Sequence, residues 1–153
     1  MSLRCQIITQ ERTIFDEDVD IVLAPAIQGR VGILKQHAPL ITALDFGELI
    51  IRQGSREEAF AIGGGVLQVA NDHVIVLAES AENVEDIDVA RAEDARRRAE
   101  QIMAESPPQD PAELAALEAA IRRANLRVRV GRRQRKPRRS MGSGGMEFDS
   151  GGE

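Results

Sequence analysis

The apolar residues of this chain change their spacing near residue 87, and this change constrains the fold more than any other feature. Up to about residue 79, short runs alternate apolar and polar positions, as in Leu3-Arg-Cys-Gln-Ile7 and His73-Val-Ile-Val-Leu-Ala78. Gly, Pro, Asn or Asp residues bound each run, a pattern typical of a β-sandwich or barrel. From Ile87 onward the apolar residues recur every three or four positions, which predicts α-helices.

Turn residues within the β-rich part predict two local features. Asn71-Asp72 lies between two strand-like runs and predicts a two-residue hairpin turn. Gly63-Gly64-Gly65 predicts a bulge or a tight turn, because strand-like Val66–Val69 follows it. A phosphate-binding loop would instead need a Lys-Ser/Thr pair and a helix start after its glycines, so that kind of site is excluded here. Asp18–Ala24 is predicted as one strand.

The second part of the chain predicts an antiparallel helical hairpin. A break at Ser106-Pro107-Pro108 separates two amphipathic segments, and Asp110-Pro111-Ala-Glu113 has the residues of a helix start. The apolar positions are Ala92, Ala95, Ala99 and Ile102 in the first segment and Leu114, Leu117, Ile121, Ala124 and Val128 in the second. The first set is mostly alanine and buries little area, so we expect weak packing and a movable hairpin.

These patterns predict an α+β chain with three parts. Residues 1–84 form a β-sandwich domain, residues 85–130 form the helical hairpin, and residues 131–153 form a basic and then Gly-rich disordered tail. Pro137 and the five glycines between 142 and 152 are the reason for predicting disorder in the tail.

Composition excludes several classes of protein. Cys5 is the only cysteine, so an internal disulfide is excluded, and no apolar run approaches the ~20 residues that span a bilayer. The only histidines are His37 and His73, without companion ligands, so we predict no metal site. No Ser/His/Asp, Cys/His or paired-carboxylate arrangement can be assembled, so we predict a protein without catalytic residues.

The net charge of −5 hides a strongly basic block. Residues 1–121 hold ten basic and twenty-two acidic side chains, whereas residues 122–139 hold ten basic and none acidic. Three interpretations fit the block about equally well: a solvated helix end with a charged tail, a nucleic-acid-binding surface, and a surface that docks onto an acidic protein. The absence of Trp and Tyr disfavours stacking on single-stranded nucleic acid.

Several ordered motifs resemble the epsilon subunit of F-type ATP synthases over about residues 3–130. The loop Gly29-Arg-Val-Gly-Ile-Leu-Lys-Gln-His-Ala-Pro-Leu-Ile-Thr42 is similar to the signature of that family, with Lys35 in place of the usual proline. Further matches follow in order at Gly47-Glu-Leu-Ile-Ile51, Phe60–Val69, Val74-Ile-Val-Leu77 and Glu85–Ala92. The family architecture is a ten-stranded antiparallel β-sandwich followed by a two-helix hairpin.

The resemblance implies a non-catalytic subunit of the rotary central stalk. The sandwich would bind the gamma subunit and the c-ring, with His37 at the gamma interface and Arg30 at the c-ring-facing turn. The mobile helices would inhibit ATP hydrolysis when extended, and their basic residues, among them Arg122 and Arg129, would meet acidic residues of the beta subunit. Such a subunit lies peripherally on the cytoplasmic face of a bacterial cell membrane and helps couple proton transport to ATP synthesis.

Some bacterial members of that family bind a regulatory ATP on the folded helices, although no cofactor is required. Their motif, Ile/Leu-Asp-x-x-Arg-Ala, matches Ile87, Asp88, Arg91 and Ala92, and further arginines would correspond to Arg98, Arg123 and Arg127. Several guanidinium groups from two helices can bind phosphates bidentately. The alternative to this family is a small β-domain with a basic hairpin that binds nucleic acid.

Overall fold

The computed structural model describes residues 2–135, with side chains through residue 134. Eight strands precede two helices in chain order. The strands are β1 (Leu3–Ile8), β2 (Thr13–Val19), β3 (Ile21–Ala26), β4 (Gly29–Ile33), β5 (Leu40–Gln53), β6 (Arg56–Ala70), β7 (His73–Ala78) and β8 (Ala81–Asn83). A 3₁₀ turn at Val84–Asp86 leads to the helices α1 (Val89–Glu105) and α2 (Pro111–Arg135).

One continuous sheet, in the order β2-β1-β7-β6-β5-β3-β4 with β8 on β6, folds over to form the sandwich. All of its strand pairs are antiparallel except β1 with β7, which are parallel. Alternate residues of each strand fill the core, as the fully buried Leu3, Cys5 and Ile7 of β1 show. Phe15 of β2 meets Phe60 of β6 edge to face, with ring centroids 5.7 Å apart, although these strands are not neighbours in the sheet. This contact therefore crosses the core between the layers.

The strand count is eight and not the ten that the family resemblance implies, because β5 and β6 are long and continuous. They span 14 and 15 residues and pair with each other from Leu40↔Val69 to Gln53↔Arg56. Gly63-Gly64-Gly65 lies inside β6, where Gly64 and Gly65 have positive φ angles of 89° and 138°. The register is the same on both sides of this point, so no residue is inserted and the predicted bulge or tight turn is wrong.

The predicted strand Asp18–Ala24 is interrupted at Asp20, between β2 and β3. The Asp20 backbone N–H donates to Arg52 O (2.8 Å), and its carboxylate accepts from the Gly54 N–H (2.6 Å). Asp20 therefore braces the β5–β6 turn from outside the ladder. The hairpin turn predicted at Asn71-Asp72 is confirmed, since both residues have the positive φ angles (50° and 58°) of a tight hairpin turn.

Both helix starts have the expected aspartate caps. The Asp88 side chain accepts from the Arg91 N–H (3.1 Å) at α1, and the Asp110 side chain accepts from the Ala112 N–H (3.0 Å) at α2. Helix α2 continues to Arg135, so residues 131–135, which belong to the predicted tail, are helical. Residues 136–153 lie outside the described range, so the disorder predicted there stays a prediction.

Gly131 does not end α2 because it serves a close contact. A Cβ placed there would lie 2.6 Å from Val89 Cγ2 and 3.1 Å from Ile87 Cγ2. Glycine thus lets α2 approach the segment where α1 begins, and the helix continues past it.

Candidate functional site at the hairpin docking face

A small hydrophobic cluster holds the hairpin against the outer face of β6. Its buried members come from β6, the segment before α1 and both helices: Ala61, Val84, Ile87, Val89, Leu126 and Val130. The sandwich core has 18 buried members, three times as many. Since hydrophobic stabilisation scales roughly with buried apolar area, docking of the hairpin contributes much less free energy than folding of the sandwich.

Leu126 and Val130 are apolar positions that the sequence pattern of α2 did not single out. The predicted stripe along that helix includes Ala124 and Val128, which are also buried, and α2 packs along α1, in which Ala92 and Ala99 are buried. Helix α2 therefore has two apolar faces near its end. Toward the tip of the hairpin the packing is looser, as shown by Ile102, which is 48% exposed.

Arginines of the basic block pair with sandwich carboxylates around this cluster. Arg122 Nη2 donates to Asp45 Oδ1 (2.7 Å), and its guanidinium lies 4.3 Å from the centre of the Phe46 ring. Arg133 pairs with Glu48 on the same strand, β5. An ion pair that is exposed on both sides, such as Arg122–Asp45, contributes about 0–1 kcal/mol, so it orients the hairpin more than it holds it.

A more sheltered ion pair joins Arg127 of α2 to Glu82 of β8. Arg127 Nε donates to Glu82 Oε2 (2.8 Å) and Nη2 donates to Glu82 Oε1 (3.2 Å), a two-point arrangement. Both side chains are about one quarter to one third exposed. This geometry fixes the guanidinium plane more firmly than a single contact would.

Beside this pair is a cleft of about 330 Å³ between the sandwich and α2. Its charged residues are Arg12 from the β1–β2 turn, Glu82, and Arg123 and Arg127 of α2. Ser80 also lines it and lies directly against Gly63, where any larger side chain would collide with the Ser80 hydroxyl. The cleft thus combines three guanidinium groups, one carboxylate and one hydroxyl.

The structure brings together two of the residues implied to bind ATP, Arg123 and Arg127, in this cleft. Among the residues described, none that lines it belongs to α1. Arg91 and Arg98 are exposed on α1. The apolar motif residues, Ile87 and Ala92, are buried in the hairpin packing, and Asp88 caps α1.

The four residues assigned to subunit interfaces lie in different places. Arg30 is exposed on β4, next to the turn Ile27-Gln28, and Arg129 is exposed on α2. Arg122 faces Asp45, as described above. His37 is half-buried in the loop between β4 and β5, where its Nδ1 lies 2.7 Å from Ala38 O.

The loop that carries His37 is held by a residue that sequence reasoning missed. Asp72 Oδ1 accepts from the Gln36 N–H (2.6 Å), and Gln36 has a positive φ of 63°. The Asp72 backbone oxygen also accepts from the Arg4 N–H (2.9 Å). The β6–β7 turn therefore fixes the backbone immediately before His37. Aspartate in a tight turn was visible in the sequence, but its distant partner was not.

An apolar patch on the outer face of the sandwich was also missed. Val66 of β6 pairs with Ala43 of β5 and Leu77 of β7, and the Ile27 N–H donates to Ala43 O (3.1 Å). Val66, Leu77 and Ile27 are 42%, 54% and 59% exposed, and Ile41, also on β5, is 71% exposed. Contiguous exposed apolar side chains are typical of an interaction surface.

Other candidate chemistry is limited in the described part of the chain. Burial raises the pKa of Cys5 to about 12, with a smaller contribution from the Asp16 carboxylate, so its thiol stays neutral. A hydrogen bond from Arg132 lowers the pKa of the partly buried Glu93. No group of three or more His, Cys, Asp and Glu side chains within residues 2–134 could hold a metal ion. Neither described helix is both long and apolar enough to cross a bilayer.

Two models of known protein families match consecutive parts of the amino-acid sequence. Residues 2–84 match the β-sandwich domain of the ATP synthase delta/epsilon chain, and residues 85–131 match the long α-helix domain of the same chain. The boundary between the models lies within the 3₁₀ turn that precedes α1.

Three curated relatives, each named ATP synthase epsilon chain, are similar over most of their length. The chain is 48% identical to that of Dehalococcoides mccartyi strain CBDB1 over 135 residues, covering 88% of this chain and 95% of the relative. It is 42% identical to that of Herpetosiphon aurantiacus over 135 residues, covering 88% and 98%. It is 46% identical to that of Moorella thermoacetica over 130 residues, covering 84% and 96%.

Two solved structures share the fold. One is a chain of the Euglena gracilis mitochondrial ATP synthase in an OSCP/F1/c-ring structure, with 24% identity, a TM-score of 0.67 and coverage of 82% of this chain and 78% of that chain. The other belongs to the central stalk and c-ring of the Tetrahymena thermophila mitochondrial ATP synthase, with 14% identity, a TM-score of 0.58 and coverage of 86% and 97%. At these identities the likeness establishes the fold.

Proposed function

The chain belongs to the ATP synthase delta/epsilon family, and from this we propose how its two structural parts serve the enzyme. It is an epsilon-type, non-catalytic subunit of the ATP synthase central stalk. The nucleic-acid-binding alternative is not supported, since both the sandwich and the basic hairpin match this family.

The observation that carries the proposed regulatory role is the way in which the basic hairpin is docked. Its hydrophobic contact is small, and two of the three hairpin arginines that pair with sandwich carboxylates within the described residues, Arg122 and Arg133, are themselves exposed to solvent. A hairpin held in this way can leave the sandwich at modest free-energy cost and present the same arginines to another acidic surface. We propose that this surface belongs to the beta subunit, which Arg122 and Arg129 meet when the extended hairpin inhibits ATP hydrolysis.

The apolar patch around Val66 and Leu77 supports a contact with the gamma subunit. It spans the adjacent strands β5, β6 and β7, and contiguous exposed apolar side chains of this kind are typical of an interaction surface. His37 belongs to the signature loop, whose backbone Asp72 fixes, and we assign this loop to the same partner. The turn at Ile27-Gln28, followed by Arg30, continues the patch and is the proposed contact with the c-ring.

These contacts would couple proton transport to ATP synthesis by joining the rotating parts of the stalk. The chain is a peripheral subunit of a membrane complex. Because all three bacterial relatives named above carry the same subunit name, we propose the cytoplasmic face of a bacterial membrane as its location.

A regulatory ATP is a further part of the proposal, although no cofactor is needed for the structural role. Arg123 and Arg127 already share a cleft, while Arg91 and Arg98 lie on the adjoining helix α1 and Asp88 caps its start. Guanidinium groups suit the phosphates of a nucleotide. Isothermal titration of the full chain with MgATP tests this part; no heat at millimolar nucleotide would contradict it.

Truncation tests the inhibitory role directly. In this test, the ATP synthase is assembled with a chain truncated to residues 1–84. The truncated chain should still co-purify with the gamma subunit, because the apolar patch and the His37 loop lie within that part. The ATP hydrolysis rate of this enzyme should be several-fold higher than that of the enzyme with the full chain. Equal hydrolysis rates in the two assembled enzymes would refute the inhibitory role, and loss of the truncated chain from the complex would refute the proposed gamma contact.

A further inference from the structure

Arg12 places a third guanidinium group at the cleft, from the side opposite α2. The turn that carries it is braced, because the Thr9 N–H donates to Arg12 O (2.9 Å) and the Thr9 hydroxyl accepts from the Arg12 N–H (3.3 Å). None of the ion pairs within residues 2–134 involves the side chains of Arg12 or Arg123. Two cations are thus left at the cleft without a counter-charge of their own.

The third cation, Arg127, is held in position by Glu82. That carboxylate accepts from Nε and Nη2, and no hydrogen bond in the described part of the chain uses Nη1. With three guanidinium groups and one carboxylate, the cleft has an excess of two positive charges. An anion with several oxygens is the complement of such an arrangement.

The remaining lining residues are compatible with a phosphate group. The Ser80 hydroxyl can donate a hydrogen bond, and Leu126 forms an apolar wall. On its other side, Arg12 borders a groove lined by the carboxylates of Asp16, Glu17, Glu58, Glu82 and Asp86, none of which forms an ion pair with it. This acidic groove repels anions, so an incoming anion is favoured only on the α2 side of Arg12.

We propose that Arg12, Arg123 and Arg127 together bind the polyphosphate group of a nucleotide in this cleft. The inference deepens the proposed ATP regulation, on which it rests, by adding a residue from the sandwich to the residues that the family motif implies on the helices. Because Arg12 belongs to the sandwich and the other two belong to α2, one bound polyphosphate bridges the two parts. The ligand then stabilises the docked hairpin, because it binds more tightly when both parts contact it than when the hairpin has left the sandwich.

Calorimetric titration of the full chain with MgATP, with inorganic tripolyphosphate and with adenosine tests the assignment. The variant is Arg12→Ala. The matched control is Arg97→Ala, which removes the same charge from α1 away from the cleft, at a side chain that is 75% exposed. We expect Arg12→Ala to weaken the binding of both ATP and tripolyphosphate about tenfold, the loss typical of one charge-assisted contact. Arg97→Ala should bind both ligands as the unmodified chain does.

Hydrogen–deuterium exchange tests the bridging. MgATP should slow amide exchange in α2 of the unmodified chain at least several-fold, and this protection should be lost in Arg12→Ala at equal occupancy. Thermal melts of the nucleotide-free variants confirm that each is folded.

Four outcomes are decisive. Equal ATP affinities of Arg12→Ala and Arg97→Ala would overturn the assignment of Arg12. Failure of the unmodified chain to bind either ATP or tripolyphosphate would overturn it as well. Unchanged protection of α2 in Arg12→Ala would overturn the bridge. Binding of tripolyphosphate without ATP would support the cleft but contradict the ATP regulation. The central-stalk assignment is tested separately by the truncated enzyme.

Discussion

Gly131→Ala sets two opposite effects of one methyl group against each other. Within a helix, alanine is favoured over glycine by about 0.8–1.0 kcal/mol, so the change strengthens α2 itself. The new Cβ would lie 2.6 Å from Val89 Cγ2 and 3.1 Å from Ile87 Cγ2. Valine and isoleucine have few alternative rotamers, so the segment before α1 must move, and overpacking of this kind costs about 1–3 kcal/mol.

The steric effect should therefore exceed the gain in helix propensity. The two ranges leave a net cost of about 0–2 kcal/mol for the docked hairpin, and a value near 1 kcal/mol corresponds to roughly fivefold more opening. Helix content should not fall, because the propensity gain acts whether or not α2 is docked. A loosened but fully helical hairpin is the specific expectation.

Hydrogen–deuterium exchange and circular dichroism measure the two effects separately. Exchange at the α2 amides around Leu126 and Val130 should be faster in Gly131→Ala, whereas the far-UV signal should be equal to or greater than that of the unmodified chain. Asn125→Ala is the control, since it raises helix propensity on an exposed position of the same helix. Exchange in Gly131→Ala that is as slow as in Asn125→Ala would show that the Val89 contact relaxes freely and would refute the reasoning.

Two further predictions concern the sandwich. Because burial raises the pKa of Cys5 to about 12, the thiol of the folded chain should not react with a disulfide reagent near pH 8. The free energy of unfolding should also fall above about pH 9, where the thiol ionises only in the unfolded chain. Rapid reaction of the folded chain would contradict this. Asp72→Ala should lower the free energy of unfolding by about 1 kcal/mol and speed hydrogen exchange of the Gln36 amide, since that amide loses its acceptor. Asp72→Asn keeps an oxygen at that position, so the Gln36 amide should exchange slowly in this variant. Equal exchange of the Gln36 amide in the two variants would contradict the prediction.

The change of hydrophobic spacing was sufficient to predict the two parts of the chain, because strand and helix periods are set by local geometry. The turn at Asn71-Asp72 and the cap at Asp110 were predictable for the same reason, since each depends on neighbouring residues only. The continuity of β5 and β6 was not predictable from glycine content. The glycines at 64 and 65 suggest a break, but the ladder on either side of them keeps one register.

The candidate site depends on contacts between distant segments, and these limited what the sequence could predict. Leu126 and Val130 fall off the stripe that faces α1, so their role appears only once the sandwich is beside them. Gly131 looks like the end of a helix in sequence, yet it serves a close approach to Ile87 and Val89. Arg12 carries no motif, and nothing in the chain order brings it near Arg123.

Strand β6 contributes to two separate packing surfaces through consecutive residues. Phe60 and Ile62 belong to the sandwich core, whereas Ala61 between them lies under the hairpin. Substitutions at position 61 can therefore adjust how long the hairpin stays docked while the folding stability of the sandwich stays nearly constant. The docking equilibrium of the hairpin and the stability of the sandwich can then vary independently, because neighbouring residues of a single strand determine each of them.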